Sequence, residues 1–215
     1  MRTRNARWIC CAALLALLVA GCGGSPYVVA GPDYLAERGR SGVLVVPGPR
    51  DPESVVAARD VGRLLAAELS TRWFNVLDFD VVVKTSPDLE PLLLRVAAQT
   101  LAGQLVEREA AEALLRRHQV GQLLVLDVFR SEQYWGRVTK ITRVGVEARL
   151  LELAEGRLLW QGRYDPEVSG SAGYGFDAAT RRVVRELVRA LSNGPPELKD
   201  TPMADWPIVE HFTPN

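Results

Sequence analysis

The chain has 215 residues, of which 47% are hydrophobic, 24% charged and 7% aromatic, and its 26 basic residues balance 26 acidic ones. This composition is typical of a globular protein with one hydrophobic core. It excludes an intrinsically disordered chain, a polytopic membrane protein and a general nucleic-acid-binding protein, since the last would carry a basic excess.

The N-terminus predicts a secretory signal peptide. Arg2, Arg4 and Arg7 precede thirteen uncharged residues, Trp8–Ala20. A basic start followed by an apolar stretch of this length directs export. As a helix the stretch would be about 20 Å long, shorter than the ~30 Å hydrocarbon core of a bilayer, so a transmembrane anchor is disfavoured.

The end of this segment resembles the lipobox of bacterial lipoproteins. Leu18–Gly21 (LVAG) places small residues before Cys22. The alternative is a generic signal peptide with a chance cysteine after its cleavage site. Cysteine usage favours the lipobox independently: Cys10 and Cys11 fall in the removed segment, and a lone thiol in an oxidising compartment is a liability.

The lipobox resemblance implies a signal peptide over residues 1–21 and acyl chains on Cys22, which anchor the protein stably in a membrane. Gly23 is not the aspartate that keeps enteric lipoproteins in the inner membrane, so we expect the periplasmic side of the outer membrane. Removing the three signal arginines leaves 23 basic residues against 26 acidic ones. Charge alone is therefore not expected to hold the mature chain on an anionic surface.

Residues 22–42 are predicted to form a lipid-anchored flexible tether. Glycine, proline and serine dominate residues 23–42, and hydrophobic periodicity is weak. Fully stretched, twenty residues could reach ~65 Å. Such a tether would let the domain stand away from the membrane.

The domain is predicted over residues 43–192, and alternating strand and helix patterns fill its first half. Apolar runs indicate strands, and apolar residues at helical spacing indicate amphipathic helices. The predicted elements are a strand at Val43–Pro47, a helix at Ala57–Trp73, a strand within Asn75–Lys84 that includes Val81–Val83, a partly helical segment at Pro87–Gln104, and a helix at Glu107–His118 ended by Gly121.

The second half begins with a predicted strand at Leu123–Phe129. Two further strands, Ile141–Leu153 and Leu158–Tyr164, are joined by a turn with Gly156, which predicts a hairpin. A Gly/Ser-rich loop then leads to a helix at Phe176–Leu191. We therefore predict a single α/β (α+β) domain with a mixed sheet packed by amphipathic helices.

The tail over residues 193–215 has five prolines but also carries Trp206, Ile208 and Phe212. It is too apolar for a plain disordered tail. Either it packs on the domain or it presents a binding segment.

Three stretches resemble a bacterial envelope superfamily that includes the curli secretion lipoprotein CsgG, the penicillin-binding-protein activator LpoB, the exopolysaccharide lipoprotein PelC and the TolB N-terminal domain. They are Val43–Pro47 with the Val61–Leu69 helix, Ala110–Asp127, and Val146–Trp160. The resemblance implies an envelope α/β fold without a catalytic signature. The chain departs from the family because its loop after the first strand, Gly48–Pro52, is not rich in aspartate, and because Asp88–Gln104 has no counterpart.

The chain offers no set of residues that predicts catalysis. The mature chain has only His118 and His211, with no metal-ligand spacing and no Gly-x-Ser-x-Gly motif. We therefore predict a protein that is not an enzyme and has no metal and no cofactor. His118 is interpreted as a helix C-terminal residue.

Two patterns, one acidic and one glycine-rich, each allow a structural and a functional interpretation. Asp78, Asp80 and Asp127 could converge, although acids at strand ends commonly cap loops. The loop Gly170–Gly175 precedes a helix and could bind an anion, but it lacks the residues of a phosphate-binding loop, so a flexible connection is favoured.

Two surface patterns are candidate partner-binding sites. Arg181, Arg185 and Arg189 recur every four residues on the last helix; this is either a solvated face or a surface for an acidic partner or lipid headgroups. Tyr134 and Trp135 lie between two predicted strands. Such aromatics usually edge a core, but they also anchor interfaces.

These patterns favour a non-catalytic, lipid-anchored accessory or scaffold protein that docks on another envelope protein. The alternatives are an accessory lipoprotein of a lipid-transport complex (the PqiC type) and a secretion-channel subunit. The channel is disfavoured because Ser131–Lys140 is too short for a spanning hairpin of ~9–11-residue strands and Asp88–Gln104 is helical in pattern. A homo-oligomer stays open, and no nucleic-acid partner is expected.

Overall fold

The computed structural model describes residues 27–38, 41–73, 75–104, 106, 108–136, 139–170 and 175–193. Cys22, the predicted signal peptide and the tail from residue 194 with His211 lie outside the described residues. The strands are β1 Tyr27–Ala30, β2 Gly42–Pro47, β3 Val76–Asp78, β4 Val120–Trp135, β5 Lys140–Glu152, β6 Arg157–Tyr164 and β7 Glu167–Gly170. The helices are α1 Tyr34–Glu37, α2 Pro52–Leu69, α3 Phe79–Thr85, α4 Glu90–Leu101, α5 Arg108–His118 and α6 Phe176–Asn193, with a 3₁₀ turn at Pro87–Leu89.

The described strands form one mixed sheet in the order β1-β6-β5-β4-β2-β3, with β7 beside β5. Strand β2 runs parallel to β3 and β4, while β4, β5, β6, β7 and β1 pair antiparallel. A parallel pair needs a crossover, and α2 supplies it between β2 and β3. The predicted α/β domain with a mixed sheet is confirmed.

Helix α2 begins at Pro52, five residues before the predicted start at Ala57, because a reciprocal cap precedes it. The Asp51 side chain accepts a hydrogen bond from the Ser54 amide at 2.9 Å, and the Ser54 hydroxyl accepts one from the Asp51 amide at 3.1 Å. Pro52 occupies the first helical position, where its missing N–H costs nothing. This reciprocal cap satisfies backbone donors that would otherwise have no partner in the helix.

The helices cover the two faces of the sheet unequally. On the first face, α2 and α6 pack over β2, β4, β5 and β6, and the buried Trp160 lies in this core. On the second face, α3, α4 and α5 pack over β2 and the first half of β4. Strands β5 and β6 carry polar residues on that second face, which leaves a charged floor beside the helices.

The predicted flexible tether is wrong for Tyr27–Arg38. Strand β1 pairs with β6 from Tyr27 opposite Arg163 to Ala30 opposite Trp160. Tyr34 is fully buried, and its hydroxyl donates to the Leu191 carbonyl at the end of α6. This segment is held by pairing with β6, which lies about 130 residues later in the chain. No local pattern in the segment predicts that partner.

The predicted strand within Asn75–Lys84 is right only for β3, because Phe79–Thr85 forms helix α3. Asp78 caps this helix by accepting a hydrogen bond from the Asp80 amide at 2.6 Å. Phe79 and Val82, one helical turn apart, are buried on the second face, while Val81 is 51% exposed. Burial of that stripe outweighs the strand propensity of three consecutive valines.

The hairpin of β5 and β6 is confirmed, with Gly156 at a φ of +65° in its turn. Strand β4 is much longer than predicted, so Tyr134 and Trp135 lie inside a strand rather than between two strands. Strand β7 was not predicted, because its short sequence carries no alternation.

Candidate docking surfaces

The outer part of the β4–β5 hairpin extends beyond the rest of the sheet. Strand β6 stops at Tyr164, opposite Val146, whereas β4 and β5 continue to the pair Trp135 and Lys140. We call the two segments Arg130–Trp135 and Lys140–Gly145 the hairpin arm. Strand β7 pairs only with the outer part of β5, residues 140–143. The arm therefore extends the sheet beyond the end of β6, with β7 alongside its β5 strand.

A bulge anchors the base of the arm. The register shifts between Val128 and Arg130, and the Phe129 ring packs on Gly145, where a Cβ would lie 2.6 Å from it. The Arg163 guanidinium lies 3.9 Å from the centroid of the same ring. Arg130 is hydrogen-bonded to Asp165. These contacts hold the arm in one direction relative to the sheet.

Tyr134 and Trp135 form the end of the arm and are both exposed, to 39% and 71%. Successive residues of a strand point to opposite faces, so the two rings lie on opposite sides of the arm. Arg143, which is bonded to Glu167, lies over the Tyr134 ring at 5.6 Å. Both rings are therefore open to contact from outside the domain, and their role in binding a partner stays a prediction.

The three arginines predicted to form a binding face lie on the exposed side of α6. Arg181 pairs with Asp177 at 3.0 Å, and the neighbouring Arg182 pairs with Glu186 at 3.2 Å. Arg185 and Arg189 have no ion-pair partner among the described residues. The arginine face is thus only partly neutralised.

A groove of about 510 Å³ runs beside the arginine face, between α2 and α6. Its floor is apolar and its rim is charged. The lining residues are Leu64, Glu68, Val168, Ala178, Arg181, Arg182, Val184 and Arg185. This combination of apolar floor and arginine rim is typical of protein interfaces.

The structure does not bring the predicted binding residues into one site. Helix α6 packs on the first face of the sheet, whereas Tyr134 lies on the second face of the arm and Trp135 on the first face at its far end. No hydrogen bond, ion pair or ring contact joins the arm's aromatics to Arg181, Arg185 or Arg189 in the part of the chain that the structure describes. They are two separate surfaces.

A buried polar cluster on the second face was not predicted from the sequence. Arg50 donates two hydrogen bonds to Asp127, at 3.1 and 2.6 Å, and Asp127 is only 2% exposed. Beside them, Arg149 donates to Glu147 at 2.7 Å, and Gln161 donates to the same carboxylate at 3.0 Å. The alternation of Glu147 and Arg149 with apolar neighbours was the available signal.

The cluster borders a cavity of about 410 Å³. Burial raises the pKa of the Asp127 carboxyl, and the Arg50 guanidinium opposes that rise. Arg149 also donates to the carbonyls of Thr100 and Leu101 at the end of α4. Because its carboxylates are engaged by arginine, the cluster fits a structural role better than general base catalysis.

The three predicted aspartates do not converge. Asp78 caps α3, Asp80 lies 4.0 Å from Arg59, and Asp127 pairs with Arg50. His118 is the last residue of α5, which confirms its predicted place at a helix end. The glycine-rich loop lies mostly outside the described residues.

Within the described ranges, no group of three His, Cys, Asp or Glu side chains could hold a metal ion. No helix among them is long and apolar enough to cross a membrane.

No protein-family model matches the sequence, and no curated protein matches it. Solved structures with a similar fold include a lipoprotein of Neisseria meningitidis, which is 20% identical, covers 71% of this chain and 99% of its own, and has a TM-score of 0.48. The PelC dodecamer of Paraburkholderia phytofirmans is 13% identical over 78% of this chain and 96% of its own, with a TM-score of 0.46. A DUF330 protein of Xanthomonas campestris is 16% identical over 70% and 84%, with a TM-score of 0.41. Likenesses at this level do not assign the chain to a family or a function.

Proposed function

We propose that this chain is a lipid-anchored accessory protein of the bacterial envelope that faces the periplasm and docks on another envelope protein without catalysing a reaction. The observation that carries the proposal is the lipobox-like Leu18–Gly21 directly before Cys22, followed within five residues by the first strand of the folded domain. Membership of the CsgG/LpoB/PelC/TolB superfamily and an outer-membrane location belong to the same proposal.

We assign docking on the protein partner to the face of α6. Arg185 and Arg189 are exposed, and the adjoining groove offers Leu64, Val168 and Val184 as an apolar floor. Arginine beside apolar surface is enriched at the energetic centres of interfaces. The arginines favour a partner whose contacting surface is acidic, and they would speed its association at low salt.

Acylation is tested by labelling growing cells with radioactive palmitate. The wild-type chain is expected to incorporate label and to fractionate with membranes, whereas Cys22→Ala is expected to do neither. Equal labelling of both chains would remove the basis of the proposal.

Docking is tested by photocrosslinking from Arg185 in intact cells, with the crosslinked protein identified by mass spectrometry. The triple variant R181E/R185E/R189E should lose that product because it reverses the charge of the face. Arg116→Glu, on the exposed side of α5, is the matched control and should keep it. If both variants keep the product, the arginine face is not the docking surface.

A further inference from the structure

The chain enters the domain at the same end from which the hairpin arm extends. Tyr27 lies opposite Arg163, Arg163 lies opposite Glu147, and β5 runs from Lys140 at the arm's end toward Glu152. The start of β1 and the end of β6 therefore lie at the same end of the sheet, and the arm extends from that end. Tyr27, the first residue that the structure describes, lies at this end.

Only five residue steps separate Cys22 from Tyr27. At ~3.3–3.6 Å per residue, an extended chain of this length spans at most ~18 Å. An acylated Cys22 lies at the membrane surface. Whatever conformation the link adopts, the start of β1 is thus held within ~18 Å of that surface.

The arm is about as long as this link. From Glu147, level with Tyr27, to Lys140 at the end of the arm is seven residues of β5, or ~23 Å at ~3.3 Å per residue. The sheet's twist, ~20–25° for each of the two steps from β1 to β5, reduces the projection of the arm along β1 to ~16 Å, close to the ~18 Å limit of the link. With the start of β1 turned toward the bilayer, the end of the arm therefore comes to the membrane surface.

The chemistry at this end fits a lipid interface. Tyr134, Trp135 and Phe176 are the exposed aromatic side chains of the described residues, and Phe176 is 42% exposed. Phe176 begins α6, which runs away from the arm's end, since Arg182 donates to the carbonyl of Glu167 and the far end of α6 meets Tyr34. Trp and Tyr favour the headgroup region, and Lys140 adds a cation beside them.

We propose that the end of the arm, carried by Tyr134, Trp135 and Lys140, rests in the headgroup region of the bilayer that holds the acyl chains of Cys22, with Phe176 beside it. The inference rests on the proposed acylation. The sequence predicted a domain that stands away from the membrane, whereas this proposal places the domain against it. The arginine face then lies at the side of the molecule, where a protein partner can reach it. A single flat protein partner fits the arm less well, because its two aromatic rings face opposite ways.

The test uses the acylated full-length mature protein in vesicles of phosphatidylethanolamine and phosphatidylglycerol. With the signal removed and Cys22 acylated, a cysteine introduced by Trp135→Cys is the only free thiol and can carry an environment-sensitive fluorophore. The matched control is Glu155→Cys in the β5–β6 turn at the opposite end of the sheet, where the side chain is 68% exposed. A second probe site is Phe176→Cys.

Spin-labelled lipids with the quencher at the headgroup or high on the acyl chain are expected to quench the probe at residue 135 severalfold more than the probe at residue 155, with residue 176 in between. Inserting a long Gly/Ser segment between Gly24 and Ser25 should reduce the quenching at residue 135.

If the acylated protein floats with the vesicles while probes at residues 135 and 155 are quenched equally, the membrane contact is overturned and the anchor stands. If Cys22→Ala floats as well as the wild type, the proposed acylation fails and the inference fails with it. Protection of residue 135 in whole envelopes but not in pure vesicles would assign the arm to a protein partner and would also overturn the proposal.

Discussion

Asp127 shows how a charged side chain is kept inside an apolar strand. It follows Leu123–Leu126 in β4 and is nearly inaccessible, yet Arg50 reaches it from the loop after β2. Desolvation penalises the ionised form, which raises the pKa of this carboxyl above its ordinary value of 3.8. Burying such a pair seldom adds much stability, but removing one partner leaves an uncompensated charge.

The raised pKa predicts a pH dependence of stability. Between pH 3.8 and the higher folded pKa, the folded state binds more protons at Asp127 than the unfolded state, so this carboxyl makes the folded state less stable as pH rises through that window. Asp127→Asn has no such titration. Urea unfolding across acidic to neutral pH should therefore show the stability of wild type, relative to D127N, falling as pH rises. A difference that grew with pH would mean that Arg50 dominates and lowers the pKa.

Among the secondary-structure elements, the β5–β6 hairpin depends on a close contact between Trp160 and Gly162, two residues of strand β6. Trp160 is fully buried against α6, and its ring occupies the space above Gly162, where a Cβ would lie 2.5 Å from the indole. The Trp160 ring can thus pack toward α6 only because Gly162 has no side chain. The same kind of contact, Phe129 on Gly145, sets the base of the hairpin arm.

Gly162→Ala is expected to destabilise the domain by about 1–3 kcal/mol, because the added methyl group forces a well-packed buried ring out of place. Gly31→Ala is the control: its Cβ would meet only ordinary contacts, at 3.6 Å from the Leu159 carbonyl oxygen. Chemical denaturation of both variants checks the difference. Similar losses in the two would show that the Trp160 contact is not the cause.

At the scale of the whole molecule, the N-terminal segment is part of the domain and closes its core. Tyr34 lies in the first-face core, and its burial raises the pKa of its hydroxyl well above the usual range. That hydroxyl and Arg38, at 3.1 Å, both donate to the Leu191 carbonyl. Of the segment predicted as a tether, Tyr27–Arg38 therefore belongs to the folded domain, as strand β1 and helix α1.

A chain that starts at Ser41 is expected to lose a large part of its stability, because it would uncover apolar core around Leu159, Trp160 and α6. Tyr34→Phe, which keeps the ring and removes one hydrogen bond, should cost about 0.5–1.5 kcal/mol. Thermal unfolding compares both with the mature chain carrying Cys22→Ser. A chain from Ser41 as stable as this reference would restore the predicted boundary at residue 43.

Local patterns were sufficient for the elements whose burial repeats along their own sequence. The stripe of α6 and the apolar runs of β2 and β4 were predictable because the pattern of buried residues follows directly from helix and strand geometry. Local patterns were insufficient at Val81–Val83, where strand propensity competes with the burial of a helical stripe. They were also insufficient in β7, which has no pattern of its own.

Residue order over short spans was enough to predict α6, the runs of β2 and β4, the mixed α/β class and the lipobox-like Cys22. Contacts in the folded domain were needed to show that Tyr27–Ala30 joins the sheet, that Arg50 reaches Asp127, and that the start of β1 and the hairpin arm lie at the same end of the sheet. These depend on contacts between residues more than 70 positions apart, whose free energy comes from burial and pairing in the assembled sheet. Through those contacts Tyr27–Arg38, expected from composition to belong to a long tether, is part of the folded domain.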